Sequence, residues 1–428
     1  MIKKFTYRNF KSFEFAELYT ESLTTLIGTN ASGKSNAIEG IRILSDISNG
    51  LDLSIVLDGS KSETVSGIRG GSKGCCRFDS DSFSLGCTII LDKDYDLEYE
   101  IEIEVLQRVY VREESLYKVL KADKTKELIF KSKEPTKGSG DIKVAYPNNK
   151  KGRNPDALCN RSSAILPQMK VKLPSDKTYK DHIRCIETVI NNLKNILFLD
   201  PVPSEMRDYV RTTDIELKPT GSNVSAVLKQ LCTDEKKKEQ FLNIVKSLPE
   251  NEITDISFID TTLGDVIFAL NEKYGDKAEV VDAKRLSDGT LRCVAIVTAI
   301  LTEVENSMVI IEEIDNGIHP GRAKGLVESI SSIGKSRKID IVLTTHNATL
   351  LNGLSKENLT GVIIAYREEK GGTSKFQTFL DMNEYARLVM NGLGDSVADD
   401  SLITAIKYPV NKNIDFSWTE VKNEYTVH

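Results

Sequence analysis

The sequence predicts an α/β protein in which a mixed sheet surrounds a phosphate-binding loop. An antiparallel β lobe stands beside that sheet, and a β-rich, then helical, insertion interrupts it. Four stretches carry the prediction. Gly28-Thr29-Asn30-Ala31-Ser32-Gly33-Lys34-Ser35 lies between the apolar run Leu23 to Ile27 and a helical pattern from Asn36 onward. Met308-Val309-Ile310-Ile311 is short and uniformly apolar, as a central parallel strand requires, and Ile341-Val342-Leu343 repeats the pattern. Alternation from Leu97 to Glu104 puts acids on one strand face and apolar groups on the other.

In chain order, Ile2 to Leu18 reads as two short strands around the turn Asn9-Phe10-Lys11-Ser12, and Leu23 to Ile27 as the strand feeding the loop. Between a strand and a helix, glycines let the backbone wrap closely around phosphate oxygens, so that consecutive amides and the positive helix end face the anion. Lys34 then reaches the outer phosphates and the Ser35 hydroxyl binds magnesium. The spacing alone also fits a plain Gly-rich turn. The flanks separate the two readings, because Ile38, Ile41, Ile43 and Ile47 give the following helix one buried face.

At 428 residues the chain exceeds what one core usually organises, so two lobes or large insertions are expected. A net charge of -6 excludes polyanion binding by bulk charge and leaves room for a local basic surface. The seven cysteines have no C-x-x-C spacing, which argues against a zinc ribbon or disulfide framework and fits a reducing cytoplasm. Met1 to Phe5 runs straight into strand-like residues, and nowhere do about 18 apolar residues follow one another; a protein neither exported nor membrane-spanning is expected.

Ser84 to Leu106 reads as a strand-rich edge hairpin. Lys131 to Pro155, rich in lysine, glycine, proline and asparagine, reads as an exposed basic insertion, either a solvated loop or a nucleic-acid or partner contact, with little beyond Ile142 to Tyr146 to bury. Helical spacing predicts an amphipathic helix over Lys180 to Leu197, stopped by Pro201 and Pro203, and a second over Asp234 to Leu248. Neither sustains the heptads of a long coiled coil. Strands are expected at Ile256 to Ile259 and Val266 to Leu270.

Arg285-Leu286-Ser287-Asp288-Gly289-Thr290-Leu291-Arg292 precedes the apolar helix Cys293 to Val304 and offers a second amide-and-hydroxyl anion site, or merely a capping turn with Ser287 or Asp288 as N-cap. The strand Met308 to Ile311 ends in Glu312-Glu313. Two acids at a strand end suit a site: the first can order a magnesium shell through Ser35 and water, and the second can polarise the water that attacks the terminal phosphate. Ile341 to Leu343 runs into Thr344-Thr345-His346-Asn347, which places His346 at the same sheet edge as a phosphate sensor.

Taken together, the phosphate loop, L-S-D-G-T, V-I-I-E-E-I-D-N-G-I-H-P and T-T-H resemble the ATP-binding-cassette (ABC) ATPases of the SMC, RecF and OLD type. More narrowly, the chain resembles stand-alone bacterial ATPases of phage-defence systems, such as the ATPase subunits of Septu, PARIS and RloA-like pairs, through Asp200 to Arg207 and Thr220 to Asn223. The resemblance covers Met1 to Leu106 and Asn251 to Leu380. It implies an ABC-ATPase head with ATP and Mg2+ as ligands. The phosphate loop (Gly28, Asn30, Ala31, Ser32, Gly33, Lys34, Ser35) holds the nucleotide, Ser35 and Glu312 serve the metal, Glu313 is the catalytic base and His346 the switch. Ser287 and Gly289 complete the site of the opposite protomer in a homodimer that sandwiches ATP, and Arg8 and Lys11 are further candidate nucleotide contacts.

The chain departs from the pattern at Glu312, where an aspartate is usual, and at His319, where many cassettes have an aspartate. The expected loop glutamine has two candidates, Gln107 and Gln168. The resemblance implies an N-lobe at 1–106, a β-rich basic insertion at 107–179, a helical insertion at 180–250, a C-lobe at 251–380 and a helical tail, 381–428. Two functions follow from it. In one, an ATP-driven sensor or scaffold, dimeric or of higher order, controls a separately encoded effector, expected to be a nuclease, in antiviral defence. In the other, a RecF-like ATPase holds DNA in repair or chromosome maintenance.

Overall fold

A computed structural model of the chain describes residues 1–60, 66–78, 80–148, 154–246, 252–318, 320–345, 348–352 and 354–382. Its centre is a six-stranded sheet in the spatial order Ile196–Leu199, Met308–Ile311, Asp340–Thr344, Leu23–Ile27, Val362–Arg367 and Ser374–Thr378. The first five strands run parallel, and Ser374–Thr378 closes the edge antiparallel. Parallel strands are covered on both faces, so their runs are apolar throughout. Their side chains accordingly alternate between two cores: Leu26, Ile310, Val342 and Ile363 join one, and Leu23, Val309, Ile311, Ile341 and Leu343 the other.

The first core is completed by the helices Lys34–Ser48 and Lys180–Lys194 and by an eight-stranded antiparallel sheet. That sheet runs in the order Phe13–Tyr19, Ile2–Phe10, Ser82–Ile90, Tyr95–Val105, Val109–Leu120, Lys126–Ser132, Asp141–Ala145 and Asp156–Asn160. The second core takes in the helices Val224–Leu231, Glu235–Val245, Asp288–Thr302 and Pro320–Arg337 and a small sheet that includes Glu252–Asp260 and Asp265–Tyr274. Mixed sheets with helices on both sides give the α/β architecture expected.

Several expectations change. Tyr95–Val105 is an interior strand between Ser82–Ile90 and Val109–Leu120, not an edge hairpin; its alternation reports one solvated face, which interior antiparallel strands also have. The limit at 106/107 falls in the turn between two neighbouring strands, so residues 109–160 extend the N-terminal lobe. The helix expected to reach Leu197 ends at Lys194, and Ile196–Leu199 pairs in parallel with Met308–Ile311. Pro201 and Pro203 therefore follow a strand. In the basic insertion, Ile142 and Val144 are buried, Lys131 pairs with Glu113 and Lys133 with Asp156; residues 149–153 lie outside the described residues. So do Leu248 and, from residue 383 onward, the expected helical tail. Among the described residues no helix is long and apolar enough to cross a membrane.

Candidate functional site

The fully buried strand Leu23–Ile27 delivers the chain to Gly28, whose φ of +149° and close packing admit only glycine. A Cβ there would meet the Ala365 carbonyl oxygen at 2.2 Å. The Ser32 N–H donates to the Thr29 carbonyl at 3.3 Å, Ala31 and Gly33 take positive φ, and the helix starts at Lys34. Its ladder opens with the Ala37 N–H on the Gly33 carbonyl, 2.9 Å, so the amides of Lys34, Ser35 and Asn36 have no helical acceptor. Such orphan donors at a helix start suit an anion.

Lys34 is 7% exposed, and its Nζ donates to the carbonyls of Gly28 at 2.7 Å and Thr29 at 3.0 Å. Burial lowers its pKa to about 8, and the nearby Glu313 opposes that shift. Among the described residues the buried Ser32 Oγ has no hydrogen-bond partner, while Ser35 is exposed. An orphan hydroxyl, free helix amides and a glycine-only cradle fit a polyphosphate. Among the described residues no group of three or more His, Cys, Asp or Glu forms a metal cluster. Magnesium at Ser35 and Glu312 would therefore take its remaining ligands from phosphate oxygens and water, as this ion commonly does.

The strands Met308–Ile311 and Asp340–Thr344 run parallel to Leu23–Ile27 and end at the same sheet edge. Glu312 is half-buried; burial raises its pKa, Arg42 on the Lys34–Ser48 helix opposes this, and Asp200, Glu39 and Glu313 reinforce it. Glu313 is exposed and adopts a φ of +49°. Its N–H donates to Thr344 Oγ1 at 2.9 Å, and its carbonyl accepts from the Asn316 N–H at 2.8 Å. Thr345 Oγ1 donates to Asp315 Oδ1 at 2.7 Å, tying the two strand exits together. Thr29, Asn30, Glu313, Asp315 and Asn316 line an open cleft of about 530 Å³. The loop and the second acid, read separately from the sequence, thus meet.

Ser287, not Asp288, is the N-cap of the Asp288–Thr302 helix, and its Oγ accepts from the Thr290 N–H at 3.2 Å. Gly289 lies against the loop after Glu313: a Cβ would meet the Gly317 carbonyl oxygen at 2.3 Å. Neither Ser287 nor Gly289 lines the cleft of Asn30 and Glu313.

Other candidates fall differently. Arg8 is not brought to the loop. On its strand the neighbouring Tyr7 points inward, with its hydroxyl on the Ala37 carbonyl at 3.1 Å, so Arg8 faces outward. There it pairs with Glu100 at 3.1 Å and stacks on Phe15. Lys11 does approach the helix, pairing with Glu39. Gln168 spends its amide on Asn160, Ser163 and Ala164, a local staple, and Gln107 sits at a hairpin tip. His346 and His319 lie outside the described residues.

Three site neighbours went unread in the sequence. Asp315 and Asn316 line the cleft, and Arg69 donates to Asn36 Oδ1 at 2.9 Å beside the start of the helix. The signal for Arg69 was the glycine-rich run Ile68-Arg69-Gly70-Gly71, whose two glycines take positive φ.

The chain belongs to the AAA-domain family described as "AAA domain, putative AbiEii toxin, Type IV TA system", whose model matches residues 23–352. No curated protein matches it. Similar solved structures include an SMC head bound to the C-winged helix domain of ScpA, 15% identical with a TM-score of 0.45, over 88% of this chain and 97% of that one. The SMC head domain of Thermotoga maritima is 14% identical with a TM-score of 0.38, over 88% and 98%. A Pyrococcus furiosus structure, an Smc head with an extended coiled coil bound to the C-terminal domain of ScpA, is 14% identical with a TM-score of 0.42, over 92% and 99%.

Proposed function

We propose that the chain binds and hydrolyses ATP with Mg2+, closes as a homodimer around the nucleotide, and acts as a sensor or scaffold for a separately encoded effector. The single observation that carries the ATPase reading is the meeting of Lys34 and Glu313 at one sheet edge, beside a cleft that Asn30 also lines. Lys34 and the loop amides hold the phosphates, and Ser35 and Glu312 hold the metal, which supplies charge neutralisation at the phosphates. Glu313 accepts the proton of the attacking water. Arg69, at the flank of the same helix start, is a further phosphate contact. Ser287 and Gly289, outside that cleft, are left to serve a second copy's nucleotide.

Membership in a family described as a putative toxin of a toxin–antitoxin system supports a defence role. The test has two arms. ATP turnover by the purified chain with magnesium, lost in Glu313→Gln, tests the ATPase. The mass of the native assembly, with identification of any co-purified protein, tests the effector. A chain that purifies alone and binds duplex DNA in a salt-dependent way would replace the sensor reading with the RecF-like one.

A further inference from the structure

We propose that Arg207 is a positioning residue that ties the Leu286-Ser287-Asp288 turn to the strand end beside Glu312. The inference rests on the ATP-site reading above and gives a role to the last residue of the Asp200 to Arg207 stretch. Arg207 Nη2 donates to the Leu286 carbonyl at 2.9 Å and to Asp288 Oδ1 at 2.7 Å. One guanidinium thus grips the turn on both sides of Ser287, through a carbonyl and a carboxylate.

The other end of the Arg207 segment begins at the acid site. Leu199 stands in register with Ile311, so the next residues, Asp200 and Glu312, leave adjacent parallel strands side by side. Between Asp200 and Arg207 the chain is stiff. The Asp200 N–H is bonded to the Pro219 carbonyl at 2.9 Å, Val202 to Thr220 at 2.9 Å and Glu205 to Val202 at 2.9 Å. Met206 is fully buried and packs at Gly221, which also abuts Ala295 of the Asp288–Thr302 helix. A short braced segment therefore runs from the carboxylate next to Glu312 to the turn that carries Ser287. A second brace reaches the same turn from the Glu313 loop, through the contact of Gly289 with Gly317.

The grip adds little to stability. The Asp288 side chain is 66% exposed, and an exposed ion pair contributes little to stability. Its effect is geometric, because a site misplaced by an ångström loses roughly a hundredfold in rate. Arg207 thus sets the posture of Ser287 toward the nucleotide of a second copy, and the braces let the acid site of its own chain set that posture.

The experiment compares wild type, Arg207→Ala, Arg207→Lys and Asp288→Ala for ATP affinity by calorimetry and for kcat and KM. Arg207→Ala is expected to bind ATP within about twofold of wild type and to lose between about ten- and a hundredfold in kcat. Arg207→Lys recovers part of the loss, and Asp288→Ala loses less because the Leu286 carbonyl bond remains. Mixing Arg207→Ala with Lys34→Ala restores turnover, since one composite site in each mixed dimer is then intact. Unchanged kcat in both Arg207 variants overturns the proposal, as does ATP affinity falling in step with kcat, or no recovery on mixing despite subunit exchange. A wild-type chain that neither binds nor hydrolyses ATP overturns the ATPase reading and this one with it, whereas an active wild type with indifferent Arg207 variants overturns only the positioning role.

Discussion

Glu313 combines an exposed carboxyl group with a left-handed backbone, φ +49°, that costs a non-glycine residue about 1 kcal/mol or more. The Thr344 hydroxyl and the Asn316 amide hold it there from both sides. Strain held in place by its surroundings is a reason to test a residue for function, and Glu313 lines the cleft with Asn30. Binding and hydrolysis should therefore separate. Lys34→Ala removes the phosphate charge and abolishes both, while Glu313→Gln keeps the volume, retains ATP and lowers turnover by about a hundredfold or more. Equilibrium binding and steady-state turnover on both variants check this; wild-type turnover in Glu313→Gln would remove the residue from the role of base. At this scale the sequence was informative where a motif fixes backbone geometry, as at Gly28 and Lys34. It offered Arg8 as a nucleotide contact, whereas the folded strand turns Arg8 outward onto Glu100 and Phe15.

Among the elements, the Asp288–Thr302 helix depends on its capping turn, and that turn lies outside the cleft of its own chain. Ser287→Arg should block closure of two copies without keeping ATP from Lys34. Mixed with Lys34→Ala, it should regain turnover, because each mixed dimer has one site with both lesions and one with neither. Absence of recovery with proven subunit exchange would argue that no site is shared. A second element, the helix Ile165–Lys172, is fixed to the antiparallel sheet by the fully buried Glu114, which accepts from the Ile165 and Leu166 amides at 2.6 and 2.7 Å and from the Tyr99 hydroxyl at 3.0 Å. Burial pushes its pKa up to about 7, from an ordinary 4.5, against those hydrogen bonds. Between these values the folded chain holds a proton that the unfolded chain has released. Stability therefore falls as pH rises from 4.5 to 7, by an amount on the order of 3 kcal/mol from this group. Glu114→Gln removes that slope but sets an amide against the Ile165 N–H, a cost of roughly 1–3 kcal/mol. Thermal midpoints across this range should show the gap between wild type and variant narrowing as pH rises; a constant gap would mean the carboxyl does not titrate there.

The same elements show what a pattern can and cannot carry. Leu23–Ile27, Met308–Ile311 and Asp340–Thr344 were legible because strands covered on both faces must be apolar throughout. Ile196–Leu199 was equally apolar, but its spacing continued the face of the preceding helix. Only Met308–Ile311 alongside shows that these residues form a strand. Sheet neighbours are long-range choices, and local periodicity does not record them.

For the whole molecule, the question is what hydrolysis would accomplish. A cassette that closes on ATP and opens after cleavage has two states, and it matters only if something binds them differently. Among the described residues, the chemistry outside the cleft offers little of its own. Among the described residues, the one histidine, His182, is buried with no hydrogen-bond partner at either ring nitrogen, and no group of three or more His, Cys, Asp or Glu could hold a metal ion. The described part of the Lys131 to Pro155 stretch and the helices Lys180–Lys194 and Glu235–Val245 carry none of the motifs and do not line the cleft. The purified chain is therefore expected to hydrolyse ATP without cutting nucleic acid, and to hold its effector in a nucleotide-dependent way. Highly purified protein is incubated with ATP, magnesium and plasmid, tRNA or single-stranded DNA, with Glu313→Gln in parallel. Intact nucleic acid in every lane, together with ATP turnover by the wild type, is the expected result. Cleavage that follows the protein through purification and disappears on mutating Asp399 or Asp400 in the tail would place a nuclease in this chain and end the regulator reading.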